Sequence, residues 1–264
     1  MEHYEHFVSF PMEAEYVEEF LSFYKATNAN KLQILITLPK HFRELAKNEL
    51  TNVEELELIN IELPTDLGDL KYFINLKKLK ITGSLVNNID LAWFPNLTHL
   101  ISPVSTNFSN IASSNLKECN LIGTKNNKSL KDFVLPVSVE KIVLSELSIQ
   151  NFESIAHLVN LQHLECYVFS KEMDFSHLDK FKCIENIWLK NVRFDSNTIP
   201  FLPTLKDFII DNSKISDTQF IDNLPNLKRL FIYSKIQNNE FLYKFEERAK
   251  QEGVEFYIDN KRKK

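Results

Sequence analysis

One arrangement of apolar and polar positions recurs along the chain: an apolar residue, two others, a second apolar residue, one other, and a third apolar residue. It is clearest at Val53, Leu56 and Leu58; Leu76, Leu79 and Ile81; Ile184, Ile187 and Leu189; Leu205, Phe208 and Ile210; and Leu227, Leu230 and Ile232. Weaker copies begin at Leu32, Leu97, Leu116, Val139 and Leu161. Consecutive starts lie 19 to 23 residues apart, with a mean of about 21.7. Alternation within each copy has the period of a strand, so the fourth and sixth residues face a core while the third, fifth and seventh face water. One such strand cannot bury its apolar face alone. Stacking successive units does bury it, which predicts parallel neighbours roughly 4.8 Å apart.

The ends of a stacked array need covering. Residues 12–26 place Tyr16, Val17, Phe20, Leu21 and Tyr24 on one helical face beside Glu13, Glu15, Glu18 and Glu19, the pattern of an amphipathic cap, and the run from Phe7 to Phe10 offers an edge strand. At the other end Phe241, Leu242, Phe245 and Ala249 stripe a helix from about Asn239 to Gln251. Gly253 stops it, and residues 254–258 alternate like a closing strand. The expected division is a cap over 1–31, about ten repeats over 32–238, and a C-terminal cap with a basic tail over 239–264. Between strands, residues 41–47 have helix-forming character after Pro39, whereas Ser102 to Ser114 is rich in Ser and Asn and is expected to be irregular.

This organisation resembles the leucine-rich-repeat family, and the repeat length is similar to the 22-residue, internalin-type class of bacteria. The resemblance covers roughly residues 30 to 235. It implies an α/β solenoid, a curved horseshoe with a parallel sheet on its concave side, a mixed helical and irregular convex side, and helical caps. In that family an apolar residue three places before each start closes the turn; Leu50, Phe73, Phe94, Leu158, Phe181, Leu202 and Leu224 stand there in this chain. The chain departs from the family at the ninth position, where an Asn ladder is usual. It carries Ile61, Ser84, Ser105, Thr124, Leu147, Phe169, Val192, Ser213 and Lys235 instead. Ser and Thr can make weaker bonds of that kind and apolar residues cannot, so packing and main-chain bonds are expected to shape these turns.

Composition narrows the chemistry. A chain of 264 residues with 44% hydrophobic and 25% charged residues is neither disordered nor collagenous nor membrane-spanning. A net charge of −5 without a basic stripe in the body gives no reason to expect nucleic acid, and no apolar run is long enough to suggest a membrane partner. The three cysteines fit neither a disulfide framework nor a zinc site; Cys119 and Cys166 fall at core positions. With no secretory signal visible, an intracellular, cytoplasmic location is expected, and export by another route stays open. Four glycines include no phosphate-cradling run. His99 and His163 are three repeats apart, roughly 14 Å, too far to share a metal. No cofactor and no enzymatic activity are expected.

The outward positions instead define a binding surface. In the last repeats Tyr167, Trp188, Ile209, Phe231 and Tyr233 fall on adjacent strands, rimmed by His163, Glu165, Asn186, Lys190, Asp207, Asp211 and Arg229. Glu55 faces Lys78, Glu57 faces Lys80, Lys190 faces Asp211 and Asp207 faces Arg229 across neighbouring strands. Aromatic patches with polar rims mark interaction sites, and Trp and Tyr dominate hot spots. The expected function is non-catalytic binding of a protein partner, unidentified, on the C-terminal half of the concave face. A structural or self-assembling repeat protein, joined through the patch or an incompletely capped end, and coverage of the patch by the chain itself, are the alternatives.

Overall fold

A computed structural model describes residues 8–10, 22, 26, 30–35, 51–59, 67–83, 88–124, 129–130, 133–213, 215, 219–234, 246–247 and 249–258. The predicted N-terminal helix falls almost wholly outside them, as do residues 41–47, Leu50 and the helical stripe Phe241, Leu242 and Phe245. The chain divides into two compact units, Met1–Cys119 and Asn120–Lys264.

In the first unit the main strands are β1 (Val8–Phe10), β2 (Lys31–Leu35), β3 (Glu55–Ile59), β4 (Lys78–Thr82) and, after the short β5 (Ile89–Asp90), β6 (His99–Pro103). β1, β2, β3, β4 and β6 pair in that order, all parallel. β5 pairs separately with β7 (Phe108–Ser109). β8 (Glu118–Ile122) begins as the first unit ends. In the second unit β9 (Lys141–Ser145), β10 (His163–Tyr167), β12 (Asn186–Lys190), β14 (Asp207–Asp211), β15 (Arg229–Tyr233) and β16 (Glu255–Ile258) again pair in parallel and in order. Short β11 (Glu172–Met173) and β13 (Arg193–Phe194) form their own pair.

The core columns follow the sequence pattern. From β3 to β15, every residue at repeat positions four and six of the main strands is no more than 2% exposed, including the polar Ser102 and the thiols of Cys119 and Cys166. Fully burying a Leu or Ile contributes about 1.5–3 kcal/mol, so two such columns are the main source of stability in each unit. The turn-closing residues Phe73, Phe94, Leu158, Phe181, Leu202 and Leu224 are buried as well. Phe152 stacks on Phe175 at 5.5 Å, and Phe175 meets Phe194 at 4.8 Å, so aromatic rings fill the interior behind the strands.

One register differs from the sequence reading. Leu32 does not start a repeat; it pairs with Leu56 and Ile34 pairs with Leu58, which puts Leu32 at position four. Alternation at 32–38 already favours this frame, since Leu32, Ile34, Ile36 and Leu38 are apolar while Gln33 and Thr37 interrupt the other parity. The start is displaced because Leu32 and Leu35 also fit the first and fourth places of the repeat, and pairing with β3 decides between the two frames. Gln33, not Ile36, therefore occupies the fifth position beside Glu57.

The return segments are built from 3-10 turns, among them Leu67–Tyr72, Leu91–Trp93, Glu153–Ile155, Ser176–Lys180 and Ser196–Thr198. Asp90 and Asp195 cap two of them by accepting from Ala92 N (2.9 Å) and Asn197 N (3.0 Å). The stretch Ser102 to Ser114 is more ordered than its composition suggests: it contains β7 and the 3-10 turn Ile111–Ser113, anchored by buried Val104 and Ile111. At the C-terminal end Glu246, Glu247 and Ala249–Glu252 are helical. Gly253 at φ +71° turns the chain out, and Val254 N bonds Ala249 O at 3.0 Å before β16 begins.

Candidate functional site

Register determines which side chains share the outer strand face of the second unit. Across β10, β12, β14, β15 and β16 the fifth positions form a row of Glu165, Trp188, Ile209, Phe231 and Tyr257. The third positions form a row of His163, Asn186, Asp207, Arg229 and Glu255, and the seventh positions one of Tyr167, Lys190, Asp211 and Tyr233. All the outward residues expected from the sequence lie in this field. Trp188 and Tyr233 are exposed at 37% and 42%, while Tyr167, Ile209 and Phe231 are half-buried.

The rings form two groups. Tyr167 meets Trp188 edge-on, with centroids 5.6 Å apart and planes at 76°. Phe231, Tyr233 and Tyr257 make a mutual cluster at 5.3–6.5 Å. Tyr257, exposed on the closing strand, is the residue that sequence reasoning omitted from the patch. Its signal was present: Phe256 and Ile258 share the inward parity of that strand, which sends Tyr257 outward.

Charged groups hold the field in place. Arg229 grips Asp207 through two bonds, Nε to Oδ1 at 2.6 Å and Nη2 to Oδ2 at 2.7 Å, which raises the guanidinium pKa. Lys190 pairs with Asp211 at 3.1 Å and Lys141 with Glu165 at 3.0 Å. The Tyr167 hydroxyl donates to Glu165 in a short hydrogen bond. Partial burial, and then that bond, push the Tyr167 phenol upward, so it stays protonated and keeps its ring against Trp188.

The first unit presents a more polar face. Glu55 is held between Lys31 at 3.2 Å and Lys78 at 3.7 Å, and Lys80 reaches Glu57 at 2.5 Å. Glu57 was expected to be exposed, yet it is buried, because Gln33 Nε2 also donates to it at 3.0 Å and the two partners cover it. His99 lies 3.2 Å from Glu118. A polar groove at the leading edge of these strands is lined by Asn30, Asn52, Glu54, Asn75, Lys77 and Asn96, with Lys77 and Glu54 joined at 2.7 Å.

Among the described residues, reactive groups do not converge. Burial pushes the Cys119 thiol up to about 12, assisted by the charge of Glu118, and burial likewise raises Cys166 beside Glu165. Both are poor nucleophiles. Among the described residues no group of three or more His, Cys, Asp or Glu could hold a metal ion, and no helix is long and apolar enough to cross a membrane.

No family model matches the chain, and no curated protein matches it. Among solved structures it is similar to an internalin C2 from Listeria monocytogenes, with 16% identity over 76% of this chain and 84% of that one and a TM-score of 0.49. It is also similar to a second Listeria monocytogenes internalin, at 16% identity over 86% of this chain and 85% of the other, with a TM-score of 0.45. A leucine-rich-repeat protein of Leptospira interrogans gives 15%, 88%, 66% and 0.46 for the same quantities. Likeness at this level adds nothing to what strand order and buried columns already establish, which is a leucine-rich-repeat fold in each unit.

Proposed function

We propose that this leucine-rich-repeat chain is a non-catalytic protein-interaction module, and that the outer face of β10–β16 is its binding surface. The observation that carries the reading is Trp188: a large ring left exposed at 37%, braced edge-on by Tyr167, on a strand whose other face is anchored by Ile187 and Leu189. Such a side chain enters a partner with little rotamer freedom left to lose. Phe231 is the second anchor, with Ile209, Tyr233 and Tyr257 extending the contact and the Asp207–Arg229 pair fixing orientation. Removing roughly 500–800 Å² from water would contribute about 12–20 kcal/mol before association and ordering costs, enough for micromolar binding from a modest surplus.

Cys119, Cys166 and Cys183 are all outside disulfides, which supports an intracellular setting. The mean spacing of about 21.8 residues between the starts from Val53 to Leu227 supports the 22-residue, internalin-type class. The test is capture of partners by the intact chain and by the double variant Trp188→Ala, Phe231→Ala, with circular dichroism verifying that both fold. Capture should be lost in the variant; capture that persists rejects the surface. If the variant instead abolishes a rise of mass with concentration in the intact chain, the patch serves self-association.

A further inference from the structure

Three ion pairs on the outer strand face of the second unit are layered, and the layering bears on what can dock. In each pair the carboxylate lies low and the cation reaches outward: side-chain exposure is 18% for Asp207 against 52% for Arg229, 27% for Asp211 against 46% for Lys190, and 20% for Glu165 against 37% for Lys141. The cause is side-chain length. A short Asp stays near the strand floor, while Lys and Arg lay their stems along it and lift their heads into water. The atoms a partner meets first are thus ammonium and guanidinium groups, although the chain as a whole carries a charge of −5. Glu255, exposed on the edge strand beyond Arg229, is the exception on this face.

Resting on the interaction reading above, we infer that the patch takes an acidic, apolar protein segment whose carboxylates bracket the anchor residues. A carboxylate bonded to Lys190 would sit about 3 Å from the cation and roughly twice that from Asp211, so at contact its attraction exceeds its repulsion about twofold. Arg229 commits Nε and Nη2 to Asp207 and leaves its Nη1 donors for such a group. Lys190 and Arg229 stand at opposite ends of the strand positions, two strands apart, with Ile209 and Phe231 between them. That separation is roughly 16 Å, which an extended segment spans with two acidic residues about five positions apart and apolar residues between. A nucleic acid fits less well. Its affinity grows with the number of phosphates neutralised, and among the described residues the face offers only Lys141, Lys190 and Arg229.

The test uses synthetic peptides of one length, each with a leucine and phenylalanine centre and flanks of glutamate, glutamine or lysine about five positions apart, plus a single-stranded oligonucleotide. Binding to the full chain is read by fluorescence anisotropy. The glutamate-flanked peptide should bind roughly tenfold tighter than the lysine-flanked one, and Lys190→Gln with Arg229→Gln should erase that ratio in a chain that still folds. If binding depends on Trp188 and Phe231 but ignores the sign of the flanks, the interaction reading stands and this inference falls. If no peptide binds, or if binding survives Trp188→Ala with Phe231→Ala, both fall. Tighter binding of the oligonucleotide than of the glutamate-flanked peptide overturns the inference in favour of nucleic acid.

Discussion

In five of the repeats the eighth residue, just after the strand, bends the chain away from the sheet through a left-handed backbone. Gly83 (φ 102°), Glu146 (57°), Val168 (57°), Asn191 (54°) and Asn212 (45°) all occupy it. The N–H groups of Glu146, Val168, Asn191 and Asn212 continue the ladder to the next repeat, as Val168 N does to Lys190 O at 2.9 Å and Asn191 N to Asp211 O at 3.0 Å. Gly, and to a lesser degree Asn, adopt this conformation readily, whereas a β-branched residue loses about 1–2 kcal/mol by doing so. Val168 also has little packing to compensate, being 51% exposed. Val168→Asn should therefore raise stability by about 1 kcal/mol, seen as a higher urea midpoint with an unchanged slope. An unmoved or lower midpoint would show that Val168 gains elsewhere what its backbone loses. At the same position Gly123 meets a different constraint: a Cβ there would lie 2.1 Å from Glu146 O. Residue type alone signals the turn at Gly83, Asn191 and Asn212, but at Val168 it points the wrong way, and only the repeat position reveals it.

At the scale of the element, the repeats are joined by an Asn ladder, though not at the ninth position. The ladder lies immediately before the start in five of the repeats. The Asn75 side chain donates to Thr51 O at 2.8 Å, Asn96 to Ile74 O at 3.2 Å, Asn115 to Pro95 O at 3.0 Å, Asn160 to Val137 O at 3.0 Å and Asn226 to Pro203 O at 2.7 Å. At the ninth position, Val192 N donates to the hydroxyl of Ser213 at 3.1 Å, and Ser213 N donates to Ser234 Oγ at 2.9 Å, a shorter version of the same device. Exposed Cys183 stands where the ladder would place an Asn in the repeat that begins at Ile184. Cys183→Asn should extend the ladder to Val159 O and stabilise by about 0.5–1.5 kcal/mol, measurable as a higher thermal midpoint. A midpoint equal to that of Cys183→Ser would refute the added bond. The recurring Asn before an apolar start was visible in the sequence, but which carbonyl it reaches depends on the stacking offset between repeats.

For the molecule as a whole, stability in a repeat architecture is a sum over neighbours, so a strand with one neighbour is held more weakly than a strand with two. In the second unit the inward pairs of β12, β14 and β15 are almost wholly buried, whereas Phe256 and Ile258 of β16 are only half-buried. Backbone amides of β12 and β14 should exchange with deuterium most slowly and those of β16 soonest, as followed by mass spectrometry. Uniform protection from β12 to β16 would mean that the closing strand is held as firmly as the interior. Under the proposed function this gradient places Trp188 on a rigid floor and Tyr257 on the more yielding margin of the same surface.

Repeat spacing and strand parity determined, without any coordinates, which residues enter the core and which share the outward face. Alternation is a property of each strand by itself, and a two-residue period survives any detail of packing. At residues 32–38 two frames compete, because alternation favours Leu32 and Ile34 as inward residues while Leu32 and Leu35 also fit the repeat's first and fourth places, and pairing with β3 had to choose. Tertiary structure alone decided that Glu57 is covered, that Tyr257 joins Phe231 and Tyr233, and that cations stand above carboxylates on the second unit's face. Each of these depends on side chains some twenty residues apart meeting at contact distance, and periodicity along the chain carries no record of how far those side chains reach.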